Sequence, residues 1–417
     1  MRRAVIVAAA TLSVLAACTS APDRSGPGAS PTAPPTPTAQ SADPALAAAV
    51  TRVVTEQQQK LHLRAVLYAV RVDGQEIVTG AVGESMTGVP ATPDMHFRNG
   101  SVAEAYMSTL LLRLVDQGVV KLDDRLSTWL PDFPHSDEVT LRQLAQMTSG
   151  YVDYEQLPEL TEANYAAPFK AWTPEELLAY MADKPLWYSP GTNWNYAHTN
   201  YLLLGLALEK ITGQDLATAL RERVLDPLGL VHTTDPGGTA VIPEPVLHTF
   251  SSERRQQLQV PASVPFYEET TYWDPSWTFA RGAIQTSNLP DLLTTAERVF
   301  SGELLSPQSH AQMVTTDLRG KTSNVPGCPG TCFDQSIGYT YGLGIVTTGN
   351  WLVQDPLFSG ESAVAAYLPS QKAAIAVAVT YTPEAFDPAT GAYQNLADRL
   401  WRAVAAQVVP TDPPPTK

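Results

Sequence analysis

Hydrophobic and polar positions alternate in two runs near the start of the chain, 64 to 72 and 75 to 82, each rich in branched aliphatic residues. They are joined by Asp73-Gly74, whose tolerance of left-handed backbone angles suits a two-residue hairpin, so the pattern predicts two antiparallel strands. Three further runs, 341 to 347, 362 to 368 and 373 to 380, predict strands near the other end. The last is almost wholly apolar and is therefore expected at the centre of a sheet. Leu396, Leu400 and Val404 then recur at helical spacing until Pro410 ends the pattern. Between about 100 and 310 the periodicity is mostly helical, broken by Pro- and Gly-rich connections. Strands at both termini with helices between them predict a two-lobed fold, α/β plus all-α: one antiparallel sheet built from both termini, with an inserted helical lobe. Ligand sites commonly lie in clefts between such lobes. No internal repeat interrupts this order.

Composition alters the picture at the two ends. Met1-Arg2-Arg3 and a short apolar run to Ala17 have the form of a cleaved leader, and Leu15-Ala16-Ala17-Cys18 resembles a bacterial lipobox, in which the cysteine is lipidated. Residues 1–17 are therefore read as a signal peptide. Residues 18–44, dominated by Ser, Thr, Ala, Pro and Gly, are read as a lipidated tether too poor in apolar surface to fold. The folded domain is expected over 45–409 and a flexible tail over 410–417. This places the protein outside the cell, lipid-anchored to the outer face of the bacterial membrane, with no contact to the membrane other than that anchor.

A net charge of −15 excludes nucleic acid, which requires clustered Lys and Arg. Apart from Cys18, the cysteines are Cys328 and Cys332. The Pro-Gly turn between them favours a small disulfide over a metal pair, because no nearby His or Cys completes a ligand set. His62, His96, His135, His232, His248 and His310 show no ligand spacing, so neither metal nor cofactor is expected. Tyr267, Tyr272, Trp273 and Trp277 form an aromatic stretch suited either to lining a cleft or to packing within a lobe.

Chemistry enters at Phe97-Arg98-Asn99-Gly100-Ser101-Val102-Ala103-Glu104. After Ser101, the apolar positions Ala103, Tyr106, Met107, Leu110 and Leu114 lie on one helical face, so a buried helix is expected to start at the serine. Further blocks follow in order: Val139-Thr140-Leu141-Arg142-Gln143-Leu144 with Thr148-Ser149-Gly150, Tyr188-Ser189-Pro190-Gly191, Asp226-Pro227-Leu228-Gly229-Leu230, 301 to 306, and Tyr341-Gly342-Leu343-Gly344. Together they resemble the serine β-lactamase and D-alanyl-D-alanine carboxypeptidase family. The resemblance implies a serine nucleophile at Ser101, an acid/base tyrosine at Tyr196 and a ligand derived from the cell wall, or another small molecule, in the cleft. It also places Arg281 at the cleft border.

The catalytic motifs of that family are altered here. Its lysine, three residues after the serine, is Glu104 here, and its Tyr-x-Asn reads Tyr196-Ala197-His198. Its third motif, Lys/His-Thr-Gly, falls on Gln354-Asp355-Pro356. Exchanging an amine for a carboxylate swings the charge by two units, which at ~6 Å and an effective dielectric of ~20 disfavours an anionic substrate by about 5.5 kcal/mol. Ordinary β-lactamase or carboxypeptidase action on anionic peptides is therefore not expected. Two readings follow. One is an esterase or amidase with a rebuilt site, in which Ser101 attacks, His198 is the base and Glu104 orients it. The other is a catalytically silent member of the family that binds a cell-wall or lipid component.

Overall fold

The computed structural model describes residues 41–280, 282–328 and 331–416. The leader, Cys18, the tether up to residue 40 and Arg281 lie outside the described residues. Among those described, no helix is long and apolar enough to cross a membrane.

The ordered body begins earlier than composition suggests. The amide of Ala42 donates to Glu76 and the Ser41 hydroxyl to Ile77, so this short polar segment runs along the hairpin. Asp43 then caps a helix, Pro44–Lys60, its carboxylate accepting the amides of Ala45 and Leu46. The hairpin follows as Leu63–Val72 and Gln75–Met86. Its turn has positive φ at both Asp73 (47°) and Gly74 (74°), as a primed turn requires.

The main sheet runs Val89–Pro90, Gln75–Met86, Leu63–Val72, Ala373–Tyr381, Glu361–Leu368, Trp351–Gln354, Val346–Thr348 and Thr340–Tyr341, antiparallel at every pairing. The apolar run expected at the centre does join the two chain ends: Tyr68 stands opposite Val377 on one side, and Val364 opposite Val377 on the other. Every residue of Ala373–Tyr381 is buried, because the Pro44–Lys60 and Leu396–Val408 helices and the Leu289–Thr294 helix all pack on this part of the sheet. The run expected over 341 to 347 splits into two short strands at Gly342-Leu343-Gly344. The segment 410–417, read as a flexible tail, is tied down as far as Pro415: the Trp351 indole donates to the Asp412 carbonyl at 2.9 Å, and Arg402 donates to Pro415. A buried indole N–H needs an acceptor, and the tail supplies one.

The inserted lobe centres on the Val102–Asp116 helix, with Val102 to Leu112 all buried. That is more than one apolar face, since the helix is wrapped by the Pro307–Val314 and His198–Thr212 helices and by the segment from Leu216 to Leu225. Its third residue, Glu104, is fully buried among them.

Candidate active site

Ser101 is the cap residue of that central helix. The amides of Val102, Ala103 and Glu104 are taken by the carbonyls of Asn99, Gly100 and Ser101. Above Ser101 opens a cavity of about 740 Å³ with aromatic walls, Trp194, Trp277, Phe279, Phe333 and Phe358 among them. Of the aromatic stretch noted in the sequence, only Trp277 lines it: Trp273 is buried elsewhere, Tyr267 stacks on Phe250, and Tyr272 is exposed.

A chain of hydrogen bonds starts at the serine. The Tyr196 hydroxyl lies 2.9 Å from Ser101 Oγ and 2.5 Å from Glu104 Oε1. The other carboxylate oxygen of Glu104 accepts from Tyr341 and, at 3.3 Å, from the Gln354 amide, which also donates to Gly344 at 2.8 Å. Burial raises the Glu104 pKa from 4.5 to about 7, against the opposing pull of the hydrogen bonds from Tyr196 and Tyr341. Burial and the neighbouring Glu104 carboxylate push the Tyr196 hydroxyl well above its ordinary value, so it is a neutral donor.

From sequence, Glu104 orients His198 against Ser101. The hydrogen bonds run otherwise. Both Glu104 oxygens are occupied by the two tyrosines and Gln354, and His198 Nδ1 lies 2.7 Å from Glu155 Oε2 and 3.3 Å from both oxygens of Asp153. Asp153 also accepts the His198 backbone amide at 3.0 Å, at the start of the His198–Thr212 helix. Burial disfavours the imidazolium, but Glu155 and Asp153 outweigh it and hold the imidazole pKa well above its usual value. Among the described residues no hydrogen bond links His198 to Ser101 or Glu104. Asp153 and Glu155 precede it by more than forty residues, and nothing local marks them as its partners.

Tyr341 and Gln354 also go unassigned by sequence, although each falls in a segment the family resemblance singles out. Their signal was Glu104 itself, since a carboxylate buried in a helix must find donors. The third-motif position is thus not empty. Gln354 reaches Glu104 on the Val102–Asp116 helix, while Asp355 and Leu357 border the cavity. Cys328 and Cys332 form a disulfide, Cα to Cα 5.8 Å. It closes the loop in which Thr331 lines the cavity and accepts the Tyr196 amide at 3.2 Å.

A model of the Beta-lactamase family matches residues 50–399. The chain belongs to the beta-lactamase family. It is 28% identical over 328 residues to Esterase EstB of Burkholderia gladioli, covering 71% of this chain and 81% of the esterase. It is 35% identical over 176 residues to Penicillin-binding protein 4 of Amycolatopsis lactamdurans, where the match spans 40% of this chain and only 44% of that protein. Among solved structures, a D-stereospecific amidohydrolase from Streptomyces sp. superposes with a TM-score of 0.67 at 25% identity, over 86% of this chain and 99% of that one. D-amino acid amidase from Ochrobactrum anthropi SV3 reaches a TM-score of 0.69 at 21% identity over 88% and 99%, a likeness of fold. The family is one of serine hydrolases with esterase and amidase members, on the two-lobed fold described above.

Proposed function

We propose that the protein is an exported serine hydrolase that cleaves esters or amides lacking an anionic group near the scissile bond, with Ser101 as nucleophile, Tyr196 as proton carrier and Glu104 as the base. One observation carries this reading: the unbroken hydrogen-bond path from Ser101 through Tyr196 to a carboxyl with a pKa near neutrality. A base poised near the working pH is what general-base catalysis favours. As Ser101 Oγ bonds to the substrate carbonyl carbon, its proton passes to the Tyr196 oxygen while the Tyr196 proton moves to Glu104. The negative charge thereby transfers from Glu104 to the substrate oxygen. Collapse of that intermediate expels the alcohol or amine, which regains the proton along the same path, and water then releases the acyl group by the same sequence. The two tyrosines and Gln354 hold Glu104 in place.

The cavity supports the substrate class. Glu155, Asp334 and Asp355 line it, and among the described lining residues there is no Lys or Arg to hold a carboxylate. The esterase and amidohydrolase likenesses support cleavage of an ester or amide. Lipid anchoring through Cys18 and placement on the outer face of the membrane rest on the leader and its lipobox-like end. A second reading, silent binding of a cell-wall or lipid component, is favoured by the saturation of Glu104 with three donors, as a purely structural buried acid would require.

A fluorophosphonate probe separates the two. Labelling of the native chain that disappears in Ser101→Ala, together with turnover of neutral short-chain esters, is expected. No labelling at any pH between 6 and 9 would establish the silent binder.

A further inference from the structure

We infer that His198, Asp153 and Glu155 form a binding site for a divalent transition-metal ion, of the zinc or manganese kind, on the wall of the cavity that holds Ser101. The ligand-capable atoms of the three residues, one imidazole nitrogen and two carboxylates, lie within 4.8 Å of one another. Nδ1 of His198 stands 2.7 Å from Glu155 Oε2 and 3.3 Å from each Asp153 oxygen. An ion with bonds of about 2.1 Å at tetrahedral to octahedral angles keeps its ligand atoms about 3.0 to 3.4 Å apart, a spacing that the Asp153 oxygens already keep from Nδ1, whereas Glu155 must shift to reach it. Glu155 has room to do so, its side chain being 32% accessible.

The surroundings are those of a built site. Asp153 is fully buried and fixed by the backbone amides of His198 at 3.0 Å and Glu155 at 3.2 Å, so both neighbours are positioned by the same carboxylate. The rings of Tyr154, Tyr196, Trp277 and Phe279 surround the imidazole, with centroids 5.3 to 6.2 Å away, and form an apolar collar. His198 and Glu155 both line the cavity, which gives an entering ion a path and leaves its remaining coordination positions facing the substrate space. A set of one imidazole and two carboxylates suits borderline and hard divalent ions over copper(I), which prefers sulfur. With no ion bound, a proton on Nδ1 fills the same gap and holds the two carboxylates together. Ion and proton therefore compete for one position. No described hydrogen bond links its three residues to Ser101 or Glu104, although the Tyr196 ring packs against the imidazole and the His198 charge lowers the Glu104 pKa.

The test is metal uptake by the untagged full chain after chelation and dialysis, titrated calorimetrically with zinc chloride and manganese chloride at pH 8, with cobalt(II) absorption as the spectroscopic report. One equivalent bound in the micromolar range is expected, weakened at least tenfold by Glu155→Gln and by His198→Ala. Glu155→Gln keeps the side-chain volume at a partly exposed position, so it carries the result even where His198→Ala fails to fold. Absence of saturable uptake up to millimolar metal overturns the site, as does uptake unchanged in both variants. Ser101→Ala binds metal like the native chain whether or not the hydrolase reading stands, so the two claims fail separately.

Discussion

Glu104 is the residue on which the proposed chemistry turns. A carboxyl one turn into a wrapped helix would ordinarily be a liability of several kcal/mol, yet here three side chains from distant segments converge on its two oxygens. Its folded-state pKa of about 7 lies above the unfolded value near 4.5, so the folded chain holds this proton more tightly. The associated stability is complete below about pH 4.5 and is lost as the pH rises through about 7, on the order of 3 kcal/mol in all. Glu104→Gln should therefore flatten the dependence of the urea midpoint on pH between 5 and 8, while abolishing ester turnover. In the native chain kcat/KM should climb tenfold per pH unit below about 7 and level off above it, as the base form fills. A flat profile across that range removes Glu104 as the base. Tyr196→Phe, which cuts the relay and keeps the ring, should lower kcat by roughly two to four powers of ten and cost about 1 to 3 kcal/mol of stability, since it leaves a buried Glu104 oxygen without its donor. A loss confined to KM would show that Tyr196 only shapes the cavity.

Two loops set how these side chains meet. Gly344 sits at a φ of 69° between the short edge strands, and a Cβ there would come within 2.4 Å of the Glu104 carbonyl and of Ser108 Oγ. The loop can press against the Val102–Asp116 helix and bring Tyr341 and Gln354 to Glu104 only because that atom is missing. Gly344→Ala should cost about 2 to 4 kcal/mol in chemical denaturation and reduce turnover, since relief of the clash pulls the donors away. The Cys328–Cys332 loop acts from the other side, its Thr331 carbonyl holding the Tyr196 amide. The double variant Cys328→Ser, Cys332→Ser should lose about 2 kcal/mol by the chain-entropy account and show reduced kcat. Unchanged kinetics would mean that Tyr196 is held without the disulfide. Both loops bring together residues that helical or strand periodicity could place on an element but not against one another.

At the scale of the whole molecule, the two chain ends close one sheet, and the terminal helix locks them. Trp401 is fully buried, packs edge-on against Trp351, and lies on the helix that covers the Ala373–Tyr381 strand. Trp401→Ala should destabilise the whole body by about 3 to 5 kcal/mol in equilibrium unfolding, because the hairpin, the central strand and the tail share this core. The sheet built from both termini, its all-apolar central strand and the buried helix opening at Ser101 were legible in the order of residues, because periodicity and turn chemistry are local properties, whereas Tyr196 was pointed to only by the family resemblance. The family resemblance implied that an acid stands at Glu104 where the family has an amine. It did not show what that acid bonds. His198 looked like its partner, but in space it belongs to Asp153 and Glu155, while Tyr196, Tyr341 and Gln354 claim Glu104. Which charge a buried group meets depends on contacts between segments tens to hundreds of residues apart, and those contacts exist only once the core has closed.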